Sequence, residues 1–331
     1  MIISHRLTHI LLMLTASLML TVVTNAQIGS PIPAASAMSD MKAGSVLFYP
    51  FYTSNTTRPT IENTKFNLTN THTSQMVFVH LFFIETSGCQ PADVFVCLTA
   101  NQTFTWVASE YDPDITGYCI AVASDKDTGV PIQFNNLAGD YYVKLTSGHT
   151  ANAGALAFSA LNANPAPVNP DGTTVSLKFD DTNYNAAPRM LMIDNIPSRA
   201  DGNDTFIVLT RLGGDLVNQQ NTSIGGLMGL LYDDAEKGYS FTMTAGSCQF
   251  RTSISDNSPR TVPRFSTIVR SGRSGWMKFW PSSDVAVVGI VLNYNSNPAG
   301  SANNYTGGHT LHPMSQTTTS VITIPLFPPS C

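Results

Sequence analysis

Charged side chains are scarce in this sequence. Asp, Glu, Lys and Arg together make up 12% of its 331 residues, and 17 Lys and Arg are outnumbered by 22 Asp and Glu. A protein that binds nucleic acid through its phosphates presents a basic surface, so this composition argues against a nucleic-acid partner. The surface must instead be covered mainly by Ser, Thr, Asn and Gln, as in many extracellular β proteins.

Long hydrophobic runs are also lacking. The apolar run Ile10–Val23 is shorter than the roughly 20 residues that cross a membrane as a helix. Arg6 precedes it and the small-residue sequence Thr24-Asn25-Ala26 follows it, which is the pattern of a cleaved secretory signal peptide. We therefore predict a signal peptide over residues 1–26 and a secreted protein, extracellular, at the cell surface or in the periplasm, with no membrane span after processing.

Amphipathic helical patterns are absent, and short extended patterns take their place. The segment Thr64–Thr69 alternates so that Phe66 and Leu68 share one strand face. Met76–Ile84 is almost continuously apolar, which predicts a strand covered on both faces. The polar residues between these two segments predict that they form a hairpin.

Many short strands, separated by Pro and Gly, predict an all-β fold. We expect two tandem antiparallel β-sandwich modules of the immunoglobulin-like type, with the Pro- and Asn-rich stretch near residue 165 as their boundary. The predicted organisation after the signal peptide is a flexible N-terminal segment, 27–42, a first module, 43–165, and a second module, 166–331.

A faint internal repeat supports two related modules. Thr64–Thr69 is followed by the apolar run Val77–Glu85, and Thr205–Thr210 is followed by the apolar run Leu227–Asp233. A Pro-containing apolar segment introduces each pair. The repeat is loose enough that shared strand patterning alone is an alternative explanation.

The five cysteines lie after the predicted signal peptide, where an oxidising compartment permits disulfides. Five thiols cannot all pair within one chain, and spacing does not select among the arrangements. Turn-forming residues between Cys89 and Cys97 favour a local bond. We predict the pairs Cys89–Cys97 and Cys248–Cys331, with Cys119 left as a small buried side chain.

Several segments resemble uncharacterised secreted bacterial proteins. They are Gly44–Thr53, Asn67–Thr71, Gly307–His312 and Ile324–Cys331. The resemblance implies an exported bacterial protein with an all-β body. It names no activity and transfers no catalytic or binding residue.

Signatures of common enzyme classes are missing. Gly272-Arg273-Ser274-Gly275-Trp276 lacks the last glycine of a serine-hydrolase elbow, and no His-Glu-x-x-His motif is present. His309 and His312 place two imidazoles three residues apart, which is one route to a metal site and to a secreted metal-dependent hydrolase. The local sequence shows no further ligand for such an ion.

An acidic turn offers a second candidate metal site. Asp201, Asn203 and Asp204 surround a glycine, as ligands do in Ca²⁺ loops. Asp and Asn are also the ordinary residues of turns, because their side chains bond to nearby backbone. No other cofactor is predicted.

Aromatic residues supply the candidate binding surface. Trp276, Lys278 and Trp280 alternate on one predicted strand and therefore share one face, which suits an extracellular carbohydrate-binding site. The alternative is that these tryptophans fill sandwich cores. The sequence as a whole favours an exported, non-enzymatic surface, matrix or adhesion-type protein, whose partner is an extracellular protein or a glycan.

Overall fold

The computed structural model describes residues 38–218, 223–246, 248–297 and 304–331. Over these segments the chain is built from short β-strands, which form small sheets with almost entirely antiparallel pairing, so the prediction of an all-β protein is confirmed. The helical elements described are α1 (Ala108–Tyr111), α2 (Phe265–Ile268) and a 3₁₀ turn (Arg199–Asp201). No helix in the described segments is long and apolar enough to span a membrane. The predicted signal peptide, 1–26, lies outside the described residues.

Nine strands of the first half form two sheets. Sheet I has the order β4-β3-β6-β1-β9, and sheet II has the order β5-β2-β7-β8. The strands are β1 (Val46–Thr53), β2 (Asn63–Asn70), β3 (Val77–Glu85), β4 (Pro91–Leu98), β5 (Thr103–Val107), β6 (Thr116–Ser124), β7 (Leu137–Lys144), β8 (Thr150–Gly154) and β9 (Leu156–Phe158).

Nine strands of the second half form two further sheets. Sheet IV has the order β15-β14-β17-β11-β20, and sheet V has the order β16-β12-β18-β19. The strands are β11 (Ala187–Pro197), β12 (Asn203–Leu212), β14 (Gly225–Tyr232), β15 (Gly238–Ala245), β16 (Gln249–Ser253), β17 (Ser274–Pro281), β18 (Ala286–Asn295), β19 (Gly307–Thr310) and β20 (His312–Thr317).

Three remaining strands form the small sheet III, with the order β10-β21-β13. They are β10 (Thr174–Phe179), β13 (Gly214–Asp215) and β21 (Ser320–Pro325). Strands β13 and β21 run parallel, whereas β10 and β21 run antiparallel. Sheet III therefore joins the middle of the chain to its C-terminal region.

The two sets of nine strands have the same order. If the strands of the second set are numbered from β11 and β13 is left out, each strand of sheets IV and V has the same neighbours as its counterpart in sheets I and II. The predicted sequence repeat falls on equivalent strands, since Thr64–Thr69 lies in β2 and Thr205–Thr210 lies in β12. The chain therefore contains a structural repeat.

Individual hydrogen bonds are repeated as well. In the first set, the backbone N–H of Ala155 donates to the carbonyl of Gly139 at 2.9 Å, where the chain crosses from β8 to β9. Leu311 donates to the carbonyl of Gly289 at 2.9 Å, at the crossing from β19 to β20. Because these bonds involve only backbone atoms, they show that Ala155 is equivalent to Leu311 and Gly139 to Gly289, whatever their side chains.

The immunoglobulin-like assignment is wrong. In immunoglobulin domains the first strand pairs with the second, whereas β1 lies inside sheet I between β6 and β9. The predicted hairpin of β2 with β3 is also wrong, because β2 pairs with β5 and β7 in sheet II. The polar residues after β2 carry the chain from one sheet to the other rather than around a hairpin.

Three hydrophobic cores hold the sheets together. The first lies between sheets I and II, includes Tyr49 and Phe66, and extends to residues of sheet V. Another lies between sheets IV and V and includes Leu209 and Phe279. A third lies between sheet III and the outer face of sheet I. Strands β1, β3, β6 and β9 of sheet I are therefore almost wholly buried on both faces, as predicted for β3 from its continuous apolar sequence.

Both disulfides join the first half of the chain to the second. Cys89 is bonded to Cys248 and Cys97 to Cys331, across 159 and 234 residues of sequence. The four predicted cysteines are paired, but the predicted partners are wrong, because the fold brings distant segments beside β4. Cys119 is free and buried, as predicted, and burial raises the pKa of its thiol well above the usual value.

The start of the described chain packs onto the body. Met38 is buried, Ser39 pairs with Ala157, and the Lys42 ammonium donates to the Asn185 side chain at 3.0 Å. Met38, Ser39 and Lys42 of the predicted flexible segment 27–42 thus contact the body, residues 27–37 lie outside the described residues, and the flexibility of the segment stays a prediction. The boundary between modules 43–165 and 166–331 remains a prediction.

Candidate functional site

The outer faces of sheets I and IV are equivalent but differently covered. Phe48 pairs with Ile120 in sheet I, and both are fully buried beneath sheet III. The equivalent pair in sheet IV is Met192 with Lys278, and both residues are partly exposed. The face that is closed in the first set of strands is thus accessible in the second.

Strand β17 places three predicted residues on this face. Trp276, Lys278 and Trp280 alternate with buried residues and are each partly exposed. The Trp276 ring lies parallel to the Tyr232 ring, with centroids 3.9 Å apart, and the Lys278 ammonium lies 5.5 Å from the Tyr232 centroid. Trp106 is the tryptophan that fills a core, in which it stacks on phenylalanine side chains.

Trp280 forms one wall of an open cavity of about 460 Å³ at the end of β17. Among the described residues, no other aromatic ring stacks on its indole. The other lining side chains are Met228, Leu230, Ser240, Phe241, Thr242 and Arg260. The cavity combines an aromatic surface with two hydroxyls and a guanidinium, so it can make apolar contacts and hydrogen bonds with one ligand.

A second cluster lies at the β11 and β20 side of the same sheet. The Asp194 carboxylate is 3.1 Å from His309 Nε2 and 3.5 Å from His312 Nε2. The two imidazole centroids are 5.1 Å apart. The predicted histidine pair therefore meets a carboxylate, and the three side chains are between 39% and 50% exposed.

Three strands bring this cluster together. Asp194 lies in β11, where the pairing with β17 shifts between Ile193 and Ile196. Because this bulge interrupts the alternation of strand faces, the sequence pattern alone does not predict which face Asp194 occupies. His309 lies in β19 of sheet V, one residue before the end of that strand, and His312 begins β20 in sheet IV. Sequence reasoning missed Asp194 because neither the bulge nor the pairing of β11 with β20 has a local signal.

The three predicted side chains of the acidic turn, Asp201, Asn203 and Asp204, bond to different partners. The Asp201 carboxylate accepts hydrogen bonds from the Ser271 hydroxyl and the Gly272 backbone N–H, in the turn before β17. Asn203 accepts one from Asn295 at 2.9 Å, and Asp204 accepts one from Arg199 at 3.0 Å. Because the three side chains point to separate partners, we propose no Ca²⁺ site at this loop.

Neither a protein-family model nor a curated protein sequence matches the chain. One solved structure, of Thermotoga maritima 1070, is 14% identical over 35% of this chain and 94% of that one, with a TM-score of 0.26. The secreted serine protease VesC from Vibrio cholerae is 10% identical over 70% of this chain and 46% of the protease, with a TM-score of 0.17. Likenesses this weak assign neither a fold nor an activity.

Proposed function

We propose that this protein is an exported, non-enzymatic binding protein of the cell surface or matrix, and that it recognises glycans through the outer face of sheet IV. The observation that carries the proposal is the cavity walled by Trp280 on that open face. The two disulfides suit an oxidising compartment outside the cytoplasm.

The chemistry of the cavity matches that of a sugar ring. A pyranose has an apolar face, which stacks on an indole, and a rim of hydroxyl groups, which bond to polar side chains. Trp280 supplies the aromatic surface, while Ser240, Thr242 and Arg260 supply hydrogen-bonding groups around it. The cavity therefore suits a neutral or acidic sugar better than a purely apolar ligand.

The neighbouring aromatic pair extends this surface. Trp276 and Trp280 are four residues apart on one strand face, or about 13 Å at the usual rise per residue. The Trp276 ring stacks on the Tyr232 ring, and this contact limits its movement. This spacing favours an oligosaccharide chain over a single sugar.

The structural repeat suggests how the site arose. We propose that both sets of strands are copies of one module. In the first copy, sheet III covers the face on which Phe48 and Ile120 lie. In the second copy, the same face remained open and carries Met192 and Lys278 instead. One copy thus serves as a buried scaffold and the other as the recognition surface.

The test is binding of the processed chain to an array of oligosaccharides and to insoluble chitin, cellulose and peptidoglycan. We expect wild-type protein to bind at least one of these glycans. Trp280→Ala should weaken that binding at least about tenfold, because a central aromatic side chain often contributes most to the affinity of an interface. Tyr142→Ala is the matched control, because Tyr142 is an exposed aromatic beside a lysine on another sheet.

Arg260→Ala gives a second test that does not depend on a large aromatic side chain. Arg260 is exposed, so its removal leaves the cores intact. We expect it to weaken binding of the same glycan. Absence of binding by the wild-type protein to every probe, or equal binding by wild type, Trp280→Ala and Arg260→Ala, would overturn the proposal.

A further inference from the structure

The contacts of His309 determine which of its ring nitrogens faces Asp194. Its Nδ1 lies 2.8 Å from the carbonyl oxygen of Thr310, an atom that can only accept a hydrogen bond. Nδ1 therefore carries a proton, and in the neutral ring the lone pair is on Nε2. Bonding of one ring nitrogen to a backbone carbonyl is the usual outer-shell arrangement of a metal-binding histidine.

The facing atoms then need a cation between them. His309 Nε2, with its lone pair, and an Asp194 carboxylate oxygen are both acceptors, and they lie 3.1 Å apart. His312 Nε2 lies 3.5 Å from the other carboxylate oxygen. Two acceptors at this distance repel each other unless a proton or a metal ion lies between them.

The spacing fits a small tetrahedral ion. Nitrogen and oxygen ligands about 2.0–2.2 Å from Zn²⁺ in tetrahedral directions are about 3.3–3.6 Å from one another. The separations of 3.1 Å and 3.5 Å, each to a different oxygen of Asp194, are close to that range. One ligand atom from each of the three residues lies within 4.8 Å of the other two. Two imidazoles and one carboxylate form a ligand set that suits zinc rather than Ca²⁺ or Mg²⁺.

We propose that Asp194, His309 and His312 form a Zn²⁺-binding site. The site ties β11 and β20 of sheet IV to β19 of sheet V, at the point where the chain crosses between the two sheets. Three protein ligands leave one coordination position open toward solvent. That position accepts water or an oxygen ligand of an incoming molecule.

The first set of strands lacks this site. By the shared strand register, the residues equivalent to the three ligands are Pro50, Ala153 and Leu156. The bulge of β1 has another role there, because the Pro50 carbonyl accepts hydrogen bonds from side chains of the second half. The zinc site is therefore specific to the repeat whose outer sheet face is open.

No further His, Cys, Asp or Glu of the described residues joins this cluster. A metal-dependent hydrolase also needs a group that transfers protons beside the metal-bound water. The arrangement supports metal binding, and we propose no hydrolysis at this site. Zinc binding here is independent of glycan recognition, since Trp280 belongs to a separate cavity.

The test is zinc titration by calorimetry of the disulfide-intact, processed chain after EDTA treatment. We expect one equivalent of Zn²⁺ to bind wild type. Asp194→Asn, His309→Ala and His312→Ala should each weaken binding at least about 100-fold, since loss of an outer-shell partner already costs 10- to 100-fold. His72→Gln, in a separate loop, is the matched histidine control, and Trp280→Ala should bind zinc as wild type does.

Thermal unfolding gives a second measurement. Because an ion that binds the folded chain raises its stability, zinc should raise the melting temperature of wild type and of His72→Gln but not of the three ligand variants. Melting without zinc shows that each variant is folded. Failure of wild type to bind zinc would leave the cluster as an ordinary ion pair and overturn the proposal, as would unchanged affinity in all three ligand variants.

Discussion

Gly117 and Gly275 occupy the same position in the two repeats of this protein. A β-carbon at Gly117 would overlap the carbonyl oxygen of Ile84, and a β-carbon at Gly275 would overlap that of Tyr232. Both glycines pair with the inner strand of a five-stranded sheet just beyond its bulge. The same steric requirement is thus met in both repeats.

This relationship predicts the effect of alanine at each position. Because the added methyl group meets backbone rather than a movable side chain, Gly117→Ala and Gly275→Ala should each lower the free energy of unfolding by about 1–3 kcal/mol. Gly246→Ala is the control, since a β-carbon there has no neighbour within 4 Å. Denaturant unfolding measures all three, and equal stability of the Gly246 and Gly275 variants would contradict the shared steric role.

The disulfides predict specific cross-linked peptides. Digestion without reduction should release Cys89 joined to Cys248 and Cys97 joined to Cys331. Cys331→Ala should lower the free energy of unfolding by about 2–5 kcal/mol, because it frees the end of a very long closed loop. Recovery of a peptide that joins Cys89 to Cys97 would refute the observed pairing.

His149 predicts a pH dependence of stability. Burial lowers the pKa of this histidine, whose Nε2 lies 3.2 Å from the Asp204 carbonyl oxygen. The unfolded chain therefore takes up a proton more readily than the folded one, so stability is lost as the pH falls below about 6.5. Between pH 7 and 5, wild type should lose stability relative to His149→Gln, by at most about 1.4 kcal/mol per pH unit. Parallel curves for the two proteins would exclude this role.

Local patterns were enough to predict the class of fold and the faces of several strands. The alternation around Trp276 and Trp280 is a property of a few consecutive residues, and the structure places both rings on one face as expected. The continuous apolar sequence of β3 likewise indicated burial on both sides. Such features depend only on neighbours in the sequence.

Long-range pairing was not predictable in the same way. Cys89 lies beside a turn that favours a bond to Cys97, yet the fold brings Cys248 to it instead. Asp194 meets His309 and His312 only because β11 is bulged and pairs with β20. These outcomes depend on which strands become neighbours, and the sequence near each residue does not encode that choice.

Hydroxyl-radical footprinting tests the recognition surface most directly, because it oxidises exposed Met, Trp and Tyr side chains. The measurement compares the processed chain alone and with the oligosaccharide that it binds on the array. Met228, Trp276 and Trp280 should become protected, while the exposed Tyr142 on sheet II should be oxidised equally in both states. Protection of Tyr142, with no change at Trp280, would contradict the assignment of the binding face to sheet IV.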